Sequence, residues 1–224
     1  MEARLCTLIH DAPSNPSSGT NDGVDATGGL VGAGCLRAVK GGVGEMGNAA
    51  KAMTPSIRID SATEKDIPLV LKLIRDLADF EKLSHQCVAT EELLRDALFG
   101  ERKFAEVVIA SFNEEAAGFA LFFHNFSTFV GRPGIYLEDL YVVPHLRGNG
   151  IGKALLVYLA RLAKDRNCGR FEWAVLDWNE PAIEFYRNLG AVPLHDWTTF
   201  RMTRDAIEVL AGPDPIDKEK RRTQ

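Results

Sequence analysis

A mixed α/β layer fold, one sheet with helices on its faces, is what this 224-residue chain predicts, and three observations predict it. Short β-rich runs stand between stretches whose apolar positions recur every three or four residues. Read along the chain, the two patterns follow the order β-α-α-β-β-β-α-β-α-β, which suits a sheet with helices layered on it. The composition is globular, with 46% hydrophobic residues, 25% charged residues, 12 Phe, 4 Tyr and 3 Trp.

Ile57-Arg58-Ile59 alternates as a short strand. Thr63 can cap a helix whose Ile67, Val70, Leu71, Ile74 and Ala78 share one face. A second helix starts at Thr90, carries Leu93, Leu94, Ala97 and Leu98, and ends at Gly100. Strands over Phe104–Phe112 and Ala116–Phe126 are joined by the hairpin turn Asn113-Glu114-Glu115. A third run, Ile135–Val143, leads through a glycine-rich loop into a helix bearing Ile151, Ala154, Leu155, Tyr158, Leu159 and Leu162. A strand over Phe171–Leu176 follows, then a helix from Glu180 to Leu189 closed by Gly190. Strands near Val192 and Phe200 and a last helix from Thr203 complete the pattern.

Dense patterning occupies residues 56–212, read as one domain. Residues 1–55 hold 10 of the 20 glycines and no Phe, Trp or Tyr, too little large apolar surface to offset the entropy of ordering them. They read as a flexible extension, with Met53 a conceivable alternative start. Glu2, Asp11, Asp22, Asp25 and Glu45 argue against a transit peptide, and the start lacks the basic and apolar regions of a secretory signal. Residues 213–224 form a charged tail that includes Asp217-Lys218-Glu219-Lys220-Arg221-Arg222.

Several function classes drop out. A net charge of −5 does not suit a nucleic-acid binder, and stretches such as Ala116–Phe123 are far shorter than the roughly 20 apolar residues a membrane span needs. Cysteines at positions 6, 35, 87 and 168 form no CxxC and have no histidine pair nearby, so no metal is expected. Scattered thiols of this kind suit an intracellular, cytoplasmic protein.

Arg147-Gly148-Asn149-Gly150-Ile151-Gly152-Lys153 is the most informative segment. A strand feeds it and an amphipathic helix leaves it. A helix start offers N–H groups and the positive end of a dipole, and the three glycines let an anion approach the backbone, so a phosphate or pyrophosphate is the expected ligand. The glycine spacing fits neither the dinucleotide fingerprint nor the P-loop, and Arg147 and Ala154 stand where a P-loop needs Gly and Ser or Thr. Gly28–Gly34 could be mistaken for a phosphate loop, but no strand precedes it.

Arg147-x-x-Gly150-x-Gly152 resembles the acetyl-CoA pyrophosphate loop of the GNAT acetyltransferase superfamily. Tyr136-Leu137-Glu138-Asp139-Leu140, Asp177-Trp178-Asn179-Glu180-Pro181 and Phe185-Tyr186 narrow the resemblance to the diamine (spermidine/spermine, thialysine or ornithine) N-acetyltransferases. It spans about Ile57 to Leu210 and implies the GNAT fold, acetyl-CoA as co-substrate and a homodimer.

Acetylating an alkylamine requires removal of a proton held with a pKa near 10, a cost of roughly 4 kcal/mol at neutral pH. Glu138 places a carboxylate among apolar Tyr136, Leu140 and Val142, as either a structural acid or a base, and the resemblance favours the base. Asp139 faces the other way in a regular strand, a parity that a bulge, typical of the family, would break. Tyr186 lies on the stripe Ala182, Phe185, Tyr186, Leu189, where a core tyrosine would also sit; the resemblance makes it the general acid for the thiolate. Asn179 stands at a helix-cap position and, by resemblance, also contacts pantetheine, while the backbone of Leu140, Tyr141 and Val142 binds that arm and polarises the acetyl carbonyl.

Cationic amines call for carboxylates. Glu81 continues the apolar face of the first helix near its C-terminal end, where an anion opposes the dipole; either a bound ammonium or Lys82 would compensate, and the resemblance favours substrate. Asp196-Trp197 resembles an acidic-Trp element near the substrate, but Thr198 replaces the usual Arg and the preceding loop is shorter than in spermidine enzymes. Asp79, Glu172, Asp177 and Glu180 read as solvated charges. The leading expectation is direct acetyl transfer to a primary amine of a small polyamine, diamine or diamino acid. The alternatives are a protein or peptide acetyltransferase and a non-catalytic acetyl-CoA-binding module.

Overall fold

The computed structural model describes residues 56–212. The N-terminal extension with its Gly28–Gly34 run and Met53, and the charged tail over 213–224, lie outside the described residues. Backbone contacts divide the described chain after Phe185 into two compact units.

The first unit is built on a five-stranded sheet whose order follows the chain. β1 (Ile57–Ser61), β2 (Glu106–Phe112), β3 (Glu115–Ser127) and β4 (Arg132–Val142) pair antiparallel, and β5 (Arg170–Trp173) joins β4 in parallel. Helices α1 (Ile67–Phe80) and α2 (Glu91–Phe99) fall between β1 and β2, and α3 (Ile151–Asp165) between β4 and β5. This is the mixed α/β sheet that the patterning predicts.

Local chemistry sets the boundaries. Thr63 caps a helix start as expected and forms a capping box with Asp66, its N–H donating to Asp66 at 2.8 Å, but a single 3-10 turn intervenes before α1 begins at Ile67. This bond and that from the Thr63 hydroxyl hold the Asp66 carboxyl below its usual range. Thr90 caps α2 by accepting from Leu93 N–H at 3.2 Å. Asn113 and Glu114 make the β2–β3 turn with φ of 49° and 70°, the left-handed pair that a two-residue hairpin needs.

The core lies between α1, α2 and the sheet. Val70, Leu73, Leu77, Leu98, Val107, Ile109, Phe119, Tyr141 and Val143 form one buried cluster. Burial of such side chains contributes about 1.5–3 kcal/mol each. Gly118 is obligatory at the centre of this sheet, because a Cβ there would run into the Tyr141 carbonyl oxygen.

Two strand expectations fail. β5 stops at Trp173 rather than Leu176, since its ladder ends at Leu137↔Trp173, where β4 departs from regular pairing. No strand forms near Val192 or Phe200; both residues are largely exposed, and Pro193 lacks the amide donor a ladder requires. In the second unit, α4 (Glu180–Asn188) continues from the first and α5 (Arg204–Ala211) follows, capped by Thr203 accepting from Ala206 N–H at 3.4 Å.

Candidate active site

A bulge in β4 organises the site. Leu121 pairs with Asp139 and the next residue, Phe122, pairs with Leu137, so Glu138 is an extra residue in its strand. Both Glu138 and Asp139 consequently line one small open cleft of about 80 Å³. Alternation would have put Asp139 on the opposite face, and the bulge cancels it. The other walls come from α1 and the segment after it. Ile74, Leu77 and Ala78 are apolar, and Glu81 adds a third carboxylate. Lys82, at φ 60°, turns the chain so that Leu83, Gln86, Cys87 and Ala89 also reach the cleft. The structure thus brings Glu81 and Glu138 together, and adds Asp139 and Cys87 to them. A chain bearing a positive charge on an aliphatic arm matches three carboxylates set among apolar walls.

Beyond the bulge, Leu140, Tyr141 and Val142 remain paired with Ala120, Phe119 and Gly118, while the β5 ladder does not extend past Leu137. Strands β4 and β5 therefore part at the level of the carboxylates. Tyr141 is buried, and burial, reinforced by Asp76, raises its hydroxyl pKa. Arg147 and Lys72 oppose that rise.

The glycine loop follows. Gly148 and Gly150 have φ of 80° and 77°, and a Cβ at either would meet nothing within 4 Å, so the backbone is open to a ligand there. Gly150 is the N-cap of α3, and the amides of Ile151, Gly152 and Lys153 open that helix. The Asn149 amide closes the loop by donating to the carbonyls of Leu146 at 3.0 Å and Arg147 at 3.4 Å. Lys153 is exposed. Arg147 is turned toward the protein instead, its Nε donating to the Val142 carbonyl at 3.0 Å. Burial is the main cause that lowers its pKa. Open glycine backbone at a helix start, next to parting strands, fits the diphosphate and pantetheine arm of a coenzyme A thioester.

Asn179 caps α4 as expected, its carbonyl accepting from Ala182 and Ile183 N–H at 3.0 Å and its side chain from Ala182 at 3.4 Å. Tyr186, Asp196 and Trp197 fall in the second unit. Tyr186 is buried, whereas Trp197 is exposed and Asp196 stands in a turn. Among the described residues no cluster of His, Cys, Asp and Glu could hold a metal, and no helix is long and apolar enough to cross a membrane.

Comparison with known proteins identifies the family and the fold. The acetyltransferase (GNAT) family model matches residues 72–191. Thialysine N-epsilon-acetyltransferase of Mus musculus is 41% identical over 168 residues, covering 70% of this chain and 98% of that protein. L-ornithine N5-acetyltransferase of Arabidopsis thaliana is 33% identical over 198 residues, covering 68% and 87%. Among solved structures, an integron cassette protein from V. cholerae superposes with a TM-score of 0.59 at 25% identity, over 70% of this chain and 99% of its own. An open glycine turn at a helix start, the family match over 72–191 and the relatives at 33–41% identity lead to one conclusion: this chain belongs to the acetyltransferase (GNAT) family and is an acetyl-CoA-dependent N-acetyltransferase.

Proposed function

We propose that the acceptor is a primary amine of a small diamine, polyamine or diamino acid, acetylated directly in a ternary complex. The observation that carries this reading is the cleft itself, where Glu81, Glu138 and Asp139 stand on otherwise largely apolar walls. An ammonium finds its counter-charge there and an aliphatic arm its packing surface. The thialysine and ornithine enzymes among the relatives act on amines of this class.

Acetyl-CoA supplies the activated acetyl group. The amides of residues 148–153 and Lys153 would hold its diphosphate, and the 140–142 backbone with Asn179 its pantetheine arm. Arg147 shapes the loop from behind through the Val142 carbonyl. Glu138 takes the proton from the incoming ammonium, directly or through water, while Glu81 and Asp139 hold the cation in place. Tyr186 donates a proton to the departing thiolate. Asp196 and Trp197 contribute to the acceptor side. A cytoplasmic homodimer belongs to the same reading, and solution mass by light scattering checks the dimer.

The test is turnover of acetyl-CoA with putrescine, spermidine, ornithine, thialysine and amine-terminated peptides, for wild type and Tyr186→Phe. Small amines are expected to react in preference to peptides. Loss of the phenolic proton is expected to lower kcat on the order of 100-fold or more. Preference for peptides would overturn the acceptor class, and unaltered turnover by Tyr186→Phe would remove that residue from the chemistry.

A further inference from the structure

We propose that Phe80 is a positioning residue that ties the cofactor loop to the acid-lined cleft. This rests on the acetyl-transfer reading above. Phe80 is the last residue of α1, and the residue after it is Glu81 of the cleft. Its ring is held from two sides. The Arg147 guanidinium carbon lies 5.2 Å from the ring centroid, and the Trp178 ring lies 5.8 Å away at an interplanar angle of 42°. Arg147 also lies 5.7 Å from the Tyr141 ring centroid and donates to the Val142 carbonyl. Three segments therefore meet at this ring, the end of α1, the start of the glycine loop and the segment that leads into α4, and the end of β4 beyond the bulge is tied to them through Arg147.

Packing alone does not require an aromatic here, because an aliphatic side chain would also cover the neighbouring core. A guanidinium, however, is attracted to a ring face and not to an alkyl group. That attraction suits Arg147, whose Nη2 is buried and whose side chain is held by the Val142 carbonyl and by Tyr141. Phe80 and Tyr141 supply the aromatic faces around it. The place of the loop that Arg147 begins and the place of the Glu81 carboxylate are thus set by the same ring. Loosening it should weaken the hold on both substrates while leaving the reacting groups alone.

The experiment compares steady-state kinetics of wild type, Phe80→Leu, Phe80→Tyr and Trp178→Leu. It uses acetyl-CoA with whichever of ornithine, thialysine or putrescine the wild type acetylates, alongside calorimetric binding of CoA. Phe80→Leu, which keeps apolar bulk and removes the ring, is expected to raise the KM of acetyl-CoA and of the amine together by about 3- to 10-fold, with kcat within about twofold. Phe80→Tyr should restore both. Trp178→Leu, a change at a half-exposed side chain, should raise the same two constants by a smaller factor. A fall in kcat at unchanged KM would mean mere loss of folded enzyme and would overturn the proposal. So would a rise confined to one substrate, or failure of Phe80→Tyr to rescue. Wild type that neither binds CoA nor acetylates any amine would instead refute the acetyl-transfer reading, and this inference with it.

Discussion

Glu138 shares the cleft with two other carboxylates, and that company defines what it can do. A base is useful only while the substrate arrives protonated. Glu138→Gln is therefore expected to lower kcat/KM by about 100-fold or more near neutral pH. The deficit should shrink as the pH approaches the amine's own pKa of about 10, because the substrate then arrives already deprotonated. A pH–rate profile of both proteins checks this, and a constant deficit across the range would show that Glu138 acts neither as the base nor as the counter-charge of the ammonium. Part of this residue-scale picture was legible in the sequence. A carboxylate at 138 among apolar neighbours, and another at 81 on an apolar helix face, both announce themselves by standing where charge is costly. Asp139 announced itself only through the family resemblance, since a bulge is a property of pairing and leaves no signature in residue types, and Cys87 did not, since the turn at Lys82 is what brings it to the cleft. The grip of Arg147 on Phe80 was equally hidden, because it joins residues 67 positions apart through a tertiary contact that no local pattern encodes.

Among the elements, the β2–β3 hairpin is open to improvement. Its turn places Asn113 and Glu114 at positive φ, and asparagine tolerates that region while glutamate does not. Glu114→Gly is expected to raise stability by about 0.5–1 kcal/mol, the relieved strain being partly offset by a more flexible unfolded chain. Chemical denaturation checks it, and a lower midpoint would show that the turn is not strained. This hairpin was readable because turn residues sit between two strong β runs. Helix starts at Thr63, Thr90 and Thr203 were readable for the same local reason. The segments around Val192 and Phe200 form no strand because an apolar run records the capacity to pair, whereas a strand also needs a neighbour. β5 is shorter than its apolar run because its length is limited by what β4 does at residue 138.

For the whole molecule, acid sensitivity has an identifiable source. Arg166, at the end of α3, forms a two-pronged pair with Glu106 on β2, with Nη2 to Oε2 at 2.7 Å. This pair holds the Glu106 carboxyl below its ordinary 4.5, assisted by His124 and Lys103. A depressed folded-state value means that the stabilisation is complete above 4.5 and is lost as pH falls through the lower value of the folded protein. Glu106→Gln should therefore lower Tm at neutral pH and converge with wild type in strong acid. The effect will be modest, because solvent reaches the pair. Thermal melts from about pH 3 to 7 read this directly, and parallel curves would contradict it. The extra residue in β4 carries a different kind of consequence. Removing one codon at position 138 would leave a perfectly regular ladder, so such a chain could fold well while losing a carboxylate and turning its neighbour away. Loss of activity in descendants of this protein could then arise by a single in-frame deletion that mends the sheet.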